Sequence, residues 1–176
     1  MRFAEELIKI FSFAAEEALR TGYSDVGPDH MLLALLRCRT GAASSILEKM
    51  GVNIDELKTL IDNYLQNTDG TRRDGVAYDE IDNLKVSRKG RNIMAIAATL
   101  ATLEGTINCT GFHLLKAIVK ERSSYGARCL NSIWDIDAER LESFSKNKIA
   151  GNEKTDPNFC VCIRVSECSG TDNFKS

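Results

Sequence analysis

The stretch "VGPDHMLLALL", Val26 to Leu36, reads as a helix start followed by a strongly apolar run, with a histidine one turn inside it. "CTGFHLLKAIV", Cys109 to Val119, has the same form and contains the only other histidine of the chain. In the first stretch Gly27 is suited to the N-cap and Pro28 to the first helical position, where a missing N–H leaves nothing unpaired. In the second, Thr110 is a good N-cap. Both histidines thus occupy one position of a repeated local pattern.

Working outward, the repeat grows. At a single offset of 83 residues Gly22 falls opposite Gly105, His30 opposite His113, Ile10 opposite Ile93, and Ala14, Ala15 and Ala18 opposite Ala97, Ala98 and Ala101. Leu32, Ala34 and Leu47 fall opposite Leu115, Ala117 and Leu130 at the same offset. This is an internal duplication. One extra residue near Asp135 then shifts the register, so that Asn53 and Asp137 face each other as helix caps.

Within the first copy the apolar spacing Phe3, Leu7, Ile10, Phe11, Ala14, Ala15, Ala18 predicts a helix that Gly22 ends. Met31 to Leu36 predicts a second helix. "AASSILEKM" after Gly41 predicts a third, closed by Gly51, and Ile54, Leu57, Leu60, Ile61 and Tyr64 behind Asn53 predict a fourth. The expected architecture is all-α, a pseudo-two-fold tandem repeat of two four-helix units within residues 1–146. Repeat one covers about 3–65 and repeat two 86–146. A polar, glycine-punctuated linker, 66–85, separates them. Residues 147–176 are expected to form a mostly disordered tail, with "FCVCIRV" as its one strand-like alternation.

Bulk properties narrow the function classes. The net charge of −2 over 176 residues offers no basic field for nucleic acid. No apolar run approaches the roughly 20 residues of a membrane span, and Glu5, Glu6, Glu16 and Glu17 do not fit a signal peptide. A cytoplasmic protein is expected. Cys38, Cys109 and Cys129 lie within apolar helical patterns and read as small core fillers. The tail cysteines Cys160, Cys162 and Cys168 lack the fourth ligand of a closed zinc site, so no metal is expected. Neither histidine stands in a metal-binding or nucleophile-activating frame, and scaffolding is their expected role. Arg37 and Arg39 suit the end of the second helix, and Arg72 and Arg73 of the linker are expected to stay solvated. Tyr125 and Trp134 fit either an exposed apolar patch or packing between the repeats.

These tandem copies, each a helix ending in Gly, a turn, a capped His-containing helix and a small-residue loop, resemble the amino-terminal domain of Clp-type AAA+ unfoldases, especially the ClpC-like ones. The resemblance rests on Gly27-Pro28-Asp29-His30 with Gly41-Ala42-Ala43, and on Thr110-Gly111-Phe112-His113 with Ala127 to Leu130. It covers about residues 3 to 145.

The resemblance implies a non-catalytic module that receives protein substrates or adaptors, with a Clp ATPase as a possible partner. In ClpC-like members it also implies a phosphoarginine pocket in each repeat, where a motif glutamate meets the guanidinium. Asp29 keeps that negative charge in the first repeat, whereas Phe112 removes it from the second, and Pro28 in place of the motif threonine takes away a hydroxyl and an N–H that could hold phosphate; a phosphoarginine site, where one survives, is expected at the first repeat alone. Gly27, Pro28, Asp29, His30, Thr110, Gly111, Phe112 and His113 are the expected contacts. No G-x-x-x-x-G-K-[ST] loop occurs, and neither ATPase activity nor a cofactor is expected. A free-standing relative, a remnant of a truncated unfoldase gene and a purely structural or oligomerising helical module remain alternatives.

Overall fold

The computed structural model describes residues 2–38, 41–68 and 85–151. Arg39, Arg72, Arg73, the tail cysteines and the Phe159–Val165 alternation lie outside these residues. The element order is β1 (Arg2–Phe3), α1 (Glu5–Arg20), β2 (Asp25–Val26), α2 (Pro28–Arg37), α3 (Ala42–Lys49) and α4 (Ile54–Asn67). The second half continues with β3 (Lys85–Val86), α5 (Arg88–Leu103), β4 (Asn108–Cys109), α6 (Gly111–Glu121), α7 (Tyr125–Trp134) and α8 (Ala138–Gly151). Both ends of the expected linker are therefore ordered, Gln66 and Asn67 in α4 and Lys85 in β3.

Helix punctuation follows the expected residues. Asn53 accepts from the Glu56 N–H and Asp137 from the Arg140 N–H, capping α4 and α8. Gly22 and Gly105 adopt φ of +78° and +67° after α1 and α5. Tyr23 N–H then returns to Ala18 O at 2.8 Å, and Thr106 N–H to Ala101 O at 3.0 Å, the same Schellman-type closure after the first helix of each repeat. The inserted residue is absorbed after α7. There Ile136 N–H reaches Leu130 O, one residue further than the Val52-to-Leu47 bond of repeat one, and Asp135 takes the left-handed conformation in place of Gly51.

α2 and α6 form the centre. Nearly every residue of each is buried, as expected of helices apolar around most of their circumference. They pack on each other, with α1 against α2 and α5 against α6. Met31, Leu32, Leu35, Leu36, Leu114 and Leu115 are among the largest fully buried side chains.

The four short strands among the described residues are not legible in the apolar pattern. β1 pairs in parallel with β4, and β2 with β3. At the duplication offset β1 corresponds to β3 and β2 to β4, so each repeat lends its first strand to the second strand of the other. Phe3 is consequently in β1 opposite Cys109, and α1 begins at Glu5. The Ala4 N–H to Cys109 O and Ser87 N–H to Val26 O bonds extend both pairings symmetrically.

Candidate binding site at the paired helix starts

Both histidines are built into helix capping. The Gly27 N–H donates to His30 Nδ1 at 3.0 Å, and the Thr110 N–H to His113 Nδ1 at 3.0 Å. This is the returning half of a capping box, with an imidazole in the usual place of a carboxylate. An Nδ1 that accepts leaves the proton on Nε2, which faces Thr21 Oγ1 at 3.1 Å in repeat one and Glu104 Oε2 at 3.1 Å in repeat two. Thr21 and Glu104 are the C-caps of α1 and α5 and stand at the same offset. Each imidazole therefore clasps the end of one helix to the start of the next. Burial pushes the His30 pKa down to about 4, with Arg20 adding to the effect. Burial also lowers that of His113, against the opposing charge of Glu104.

Asp29 does not project freely. Its Oδ1 accepts from the Gly126 N–H at 2.8 Å and its Oδ2 from the Tyr125 N–H at 3.2 Å, so a side chain of repeat one caps α7 of repeat two. Burial raises its pKa, and the two backbone donors, Arg128 and Lys89 act in the opposite direction. Pro28 and Gly111 are buried at the first helical positions, and Gly27 and Thr110 are the N-caps. Phe112 is half-buried, with the Lys116 ammonium 5.0 Å from its ring centroid. Lys116, itself buried, pairs with Glu104, where repeat one has Leu33 and Thr21. Sequence reasoning missed Thr21, Glu104 and Lys116. The duplication offset contains the signal for the first two, because Thr21 and Glu104 directly precede the matched glycines.

Tyr125 lies between the repeats. Its ring stacks on Tyr64 at 4.2 Å with 5° between planes, and Arg128 approaches it at 5.8 Å. Trp134 packs against the core, Cys109 and Cys129 are buried within it, and Cys38 is half-buried. Arg37 pairs with Glu16 at 2.6 Å and covers the Phe13 ring. Among the described residues no cluster of metal-ligating side chains occurs, and no helix is long and apolar enough to cross a membrane.

Apolar surface remains open elsewhere. Leu103 is 79% exposed and Ile107 70%, on either side of the Gly105 turn, and Phe3 and Ile8 are also exposed. Phe3 meets Phe11 edge to face at 5.8 Å. In repeat one the counterparts of Leu103 and Ile107 are Arg20, tied to Glu17 and Asp62, and Ser24.

Residues 2–83 match the family model of the Clp repeat (R) N-terminal domain. The chain is 28% identical over 132 residues to the chloroplastic chaperone protein ClpC2 of Oryza sativa subsp. japonica, covering 75% of this chain and 14% of that protein. It is 24% identical over 132 residues to the negative regulator of genetic competence ClpC/MecB of Bacillus subtilis, covering 75% of this chain and 15% of that one. The structure superposes on the N-terminal domain of the Clp-protease-associated chaperone ClpD from Arabidopsis thaliana with a TM-score of 0.63. That match has 18% identity and covers 85% of this chain and 96% of the other. The fold is that of Clp N-terminal domains, and residues 2–83 carry the match to the Clp repeat N-terminal domain. The chain spans about one seventh of the length of these curated relatives.

Proposed function

We propose that this chain is a non-catalytic protein- and peptide-binding module that receives substrates or adaptors for a Clp chaperone-protease system in the cytoplasm. The double domain of residues 1–146, with 66–85 as its linker, is the binding unit. The observation that carries this reading is the exposure of Leu103 and Ile107 on either side of the Gly105 turn, in a domain whose two imidazoles are both committed to internal hydrogen bonds. Apolar side chains left open on an otherwise well-buried fold suit recognition of unfolded or extended polypeptide. The Clp relatives support the same assignment.

A narrower reading, phosphoarginine recognition at Gly27 to His30, is favoured by one observation. Asp29 stands with Lys89 and Arg128 near enough to act on its charge, so both signs required by a guanidinium joined to a phosphate are present together. Titration of ¹⁵N-labelled protein with phosphoarginine, with arginine as control, tests it. Saturable shifts at Gly27 to His30 without matching shifts at Thr110 to His113 are expected. An unfolded model polypeptide is expected to shift Leu103 and Ile107. Self-association with concentration and no response to either ligand would favour the oligomerising alternative and overturn the binding reading.

A further inference from the structure

The two helix starts that face each other across the repeats are not served alike. Asp29 caps α7 through the Tyr125 and Gly126 N–H groups. At the duplication offset the counterpart of Asp29 is Phe112, and the counterparts of Tyr125 and Gly126 are Ala42 and Ala43, the first residues of α3. Phenylalanine accepts nothing from those N–H groups, and Gly41 at the α3 N-cap supplies no side chain. A carboxylate nevertheless reaches this place from another element. A Cβ added at Gly41 would stand 2.6 Å from Glu6 Oε1, and one added at Gly111 would stand 3.4 Å from the same atom. That oxygen is buried and has no hydrogen-bond partner among the described residues. Glu6 thus inserts from α1 between the starts of α3 and α6.

The charges are exchanged in register. The counterpart of Glu6 is Lys89, which acts on Asp29 on the other side of the molecule. Where the motif acid is present, the preceding helix supplies a lysine. Where the motif acid is absent, that same position supplies a carboxylate. We infer that Glu6 replaces the acid missing at Phe112, so that each of the two inter-repeat helix starts is matched by one carboxylate, from α2 on one side and from α1 on the other. Two glycines, Gly41 and Gly111, leave the space through which it enters. The partial positive charge of helix N-termini is the physical reason that a carboxylate is stable there.

Because the place holds one carboxylate, a second is unwelcome only while Glu6 is present. Phe112→Asp and Phe112→Asn remove the same aromatic packing and differ mainly in charge. In the otherwise natural chain Phe112→Asp is expected to melt about 2 °C or more below Phe112→Asn, on the usual scale of one unfavourable charge contact. In the Glu6→Gln background the order is expected to reverse, with Phe112→Asp the more stable. Glu5→Gln, an exposed acid of the same helical turn, is the control and should leave the order unchanged. An order that is the same in both backgrounds overturns the inference. If the 112 variants fail to fold, pH titration of the Ala42 and Ala43 amide shifts gives a second reading. A carboxylate-dependent step that Glu6→Gln abolishes supports the exchange, and its persistence overturns it.

Discussion

Asp29 and Gly126, 97 positions apart, meet at 2.8 Å, the carboxylate of one repeat accepting the N–H of the first turn of a helix in the other. The Tyr125 N–H completes the cap. A residue expected to meet ligand is therefore also a joint of the fold. Asp29→Ala should lower stability by about 1–2 kcal/mol, the usual cost of losing a helix cap. Chemical denaturation of that variant beside Asp29→Asn measures it. Retention of full stability by both would show that the inter-repeat cap contributes nothing.

His30 makes stability depend on pH in a defined direction. Its folded pKa of about 4 lies below the ordinary 6.5, so between these values the unfolded chain binds a proton that the native chain refuses. Stability contributed by the neutral ring is complete above about 6.5 and is lost as pH falls toward 4, on the order of 3 kcal/mol for this buried ring. Asp29, whose folded pKa is raised, acts in the opposite sense through the acid range. The difference between the natural chain and His30→Gln isolates the histidine. Urea midpoints at pH 7, 5.5 and 4 should converge for the two proteins as pH falls, and parallel curves would contradict the assignment.

The helices were legible because apolar period, caps and terminating glycines agreed locally, and the duplication offset checked each of them twice. The strands were not, since two-residue strands carry no alternation and their partners come from the other repeat. For the helix starts, the histidine scaffolding could be read from chain position. The cap that Asp29 gives to α7 and the insertion of Glu6 beside Gly41 could not, because both depend on contacts that only the packed pair of repeats creates.

Two glycines should tolerate alanine poorly for different reasons. A Cβ on Gly126 would stand 2.4 Å from Leu32 Cδ2 and 2.8 Å from Ile61 Cδ1, both in fully buried side chains. On Gly90 it would meet the Val26 carbonyl oxygen at 2.9 Å and Val86 Cγ1 at 2.8 Å. The second is the stiffer obstacle, because backbone held in the β2–β3 pair cannot turn away. Each substitution should cost about 1–3 kcal/mol net of the helix-propensity gain. Gly90→Ala should be the worse and should also weaken amide protection of Ser87, whose N–H bonds to Val26. Thermal melts and hydrogen exchange decide this, and equal or stabilising effects at both sites would show that the inter-repeat contacts yield easily.

The exposed apolar turn separates binding from folding most cleanly. Leu103 and Ile107 are largely exposed, so replacing each with aspartate should change stability within about 0.5 kcal/mol, as for surface positions away from packed features. Any loss of affinity for unfolded polypeptide then reports on contact with the ligand. The double variant Leu103→Asp, Ile107→Asp should bind a fluorescently labelled unfolded polypeptide at least tenfold more weakly, with an unchanged melting curve. Arg20→Leu with Ser24→Ile, which copies the apolar pair onto repeat one, should create a second site at the cost of the Arg20 pairs with Glu17 and Asp62. Unaltered affinity in the double aspartate variant would remove this turn from the binding surface and leave the α2 and α6 starts as the place to search.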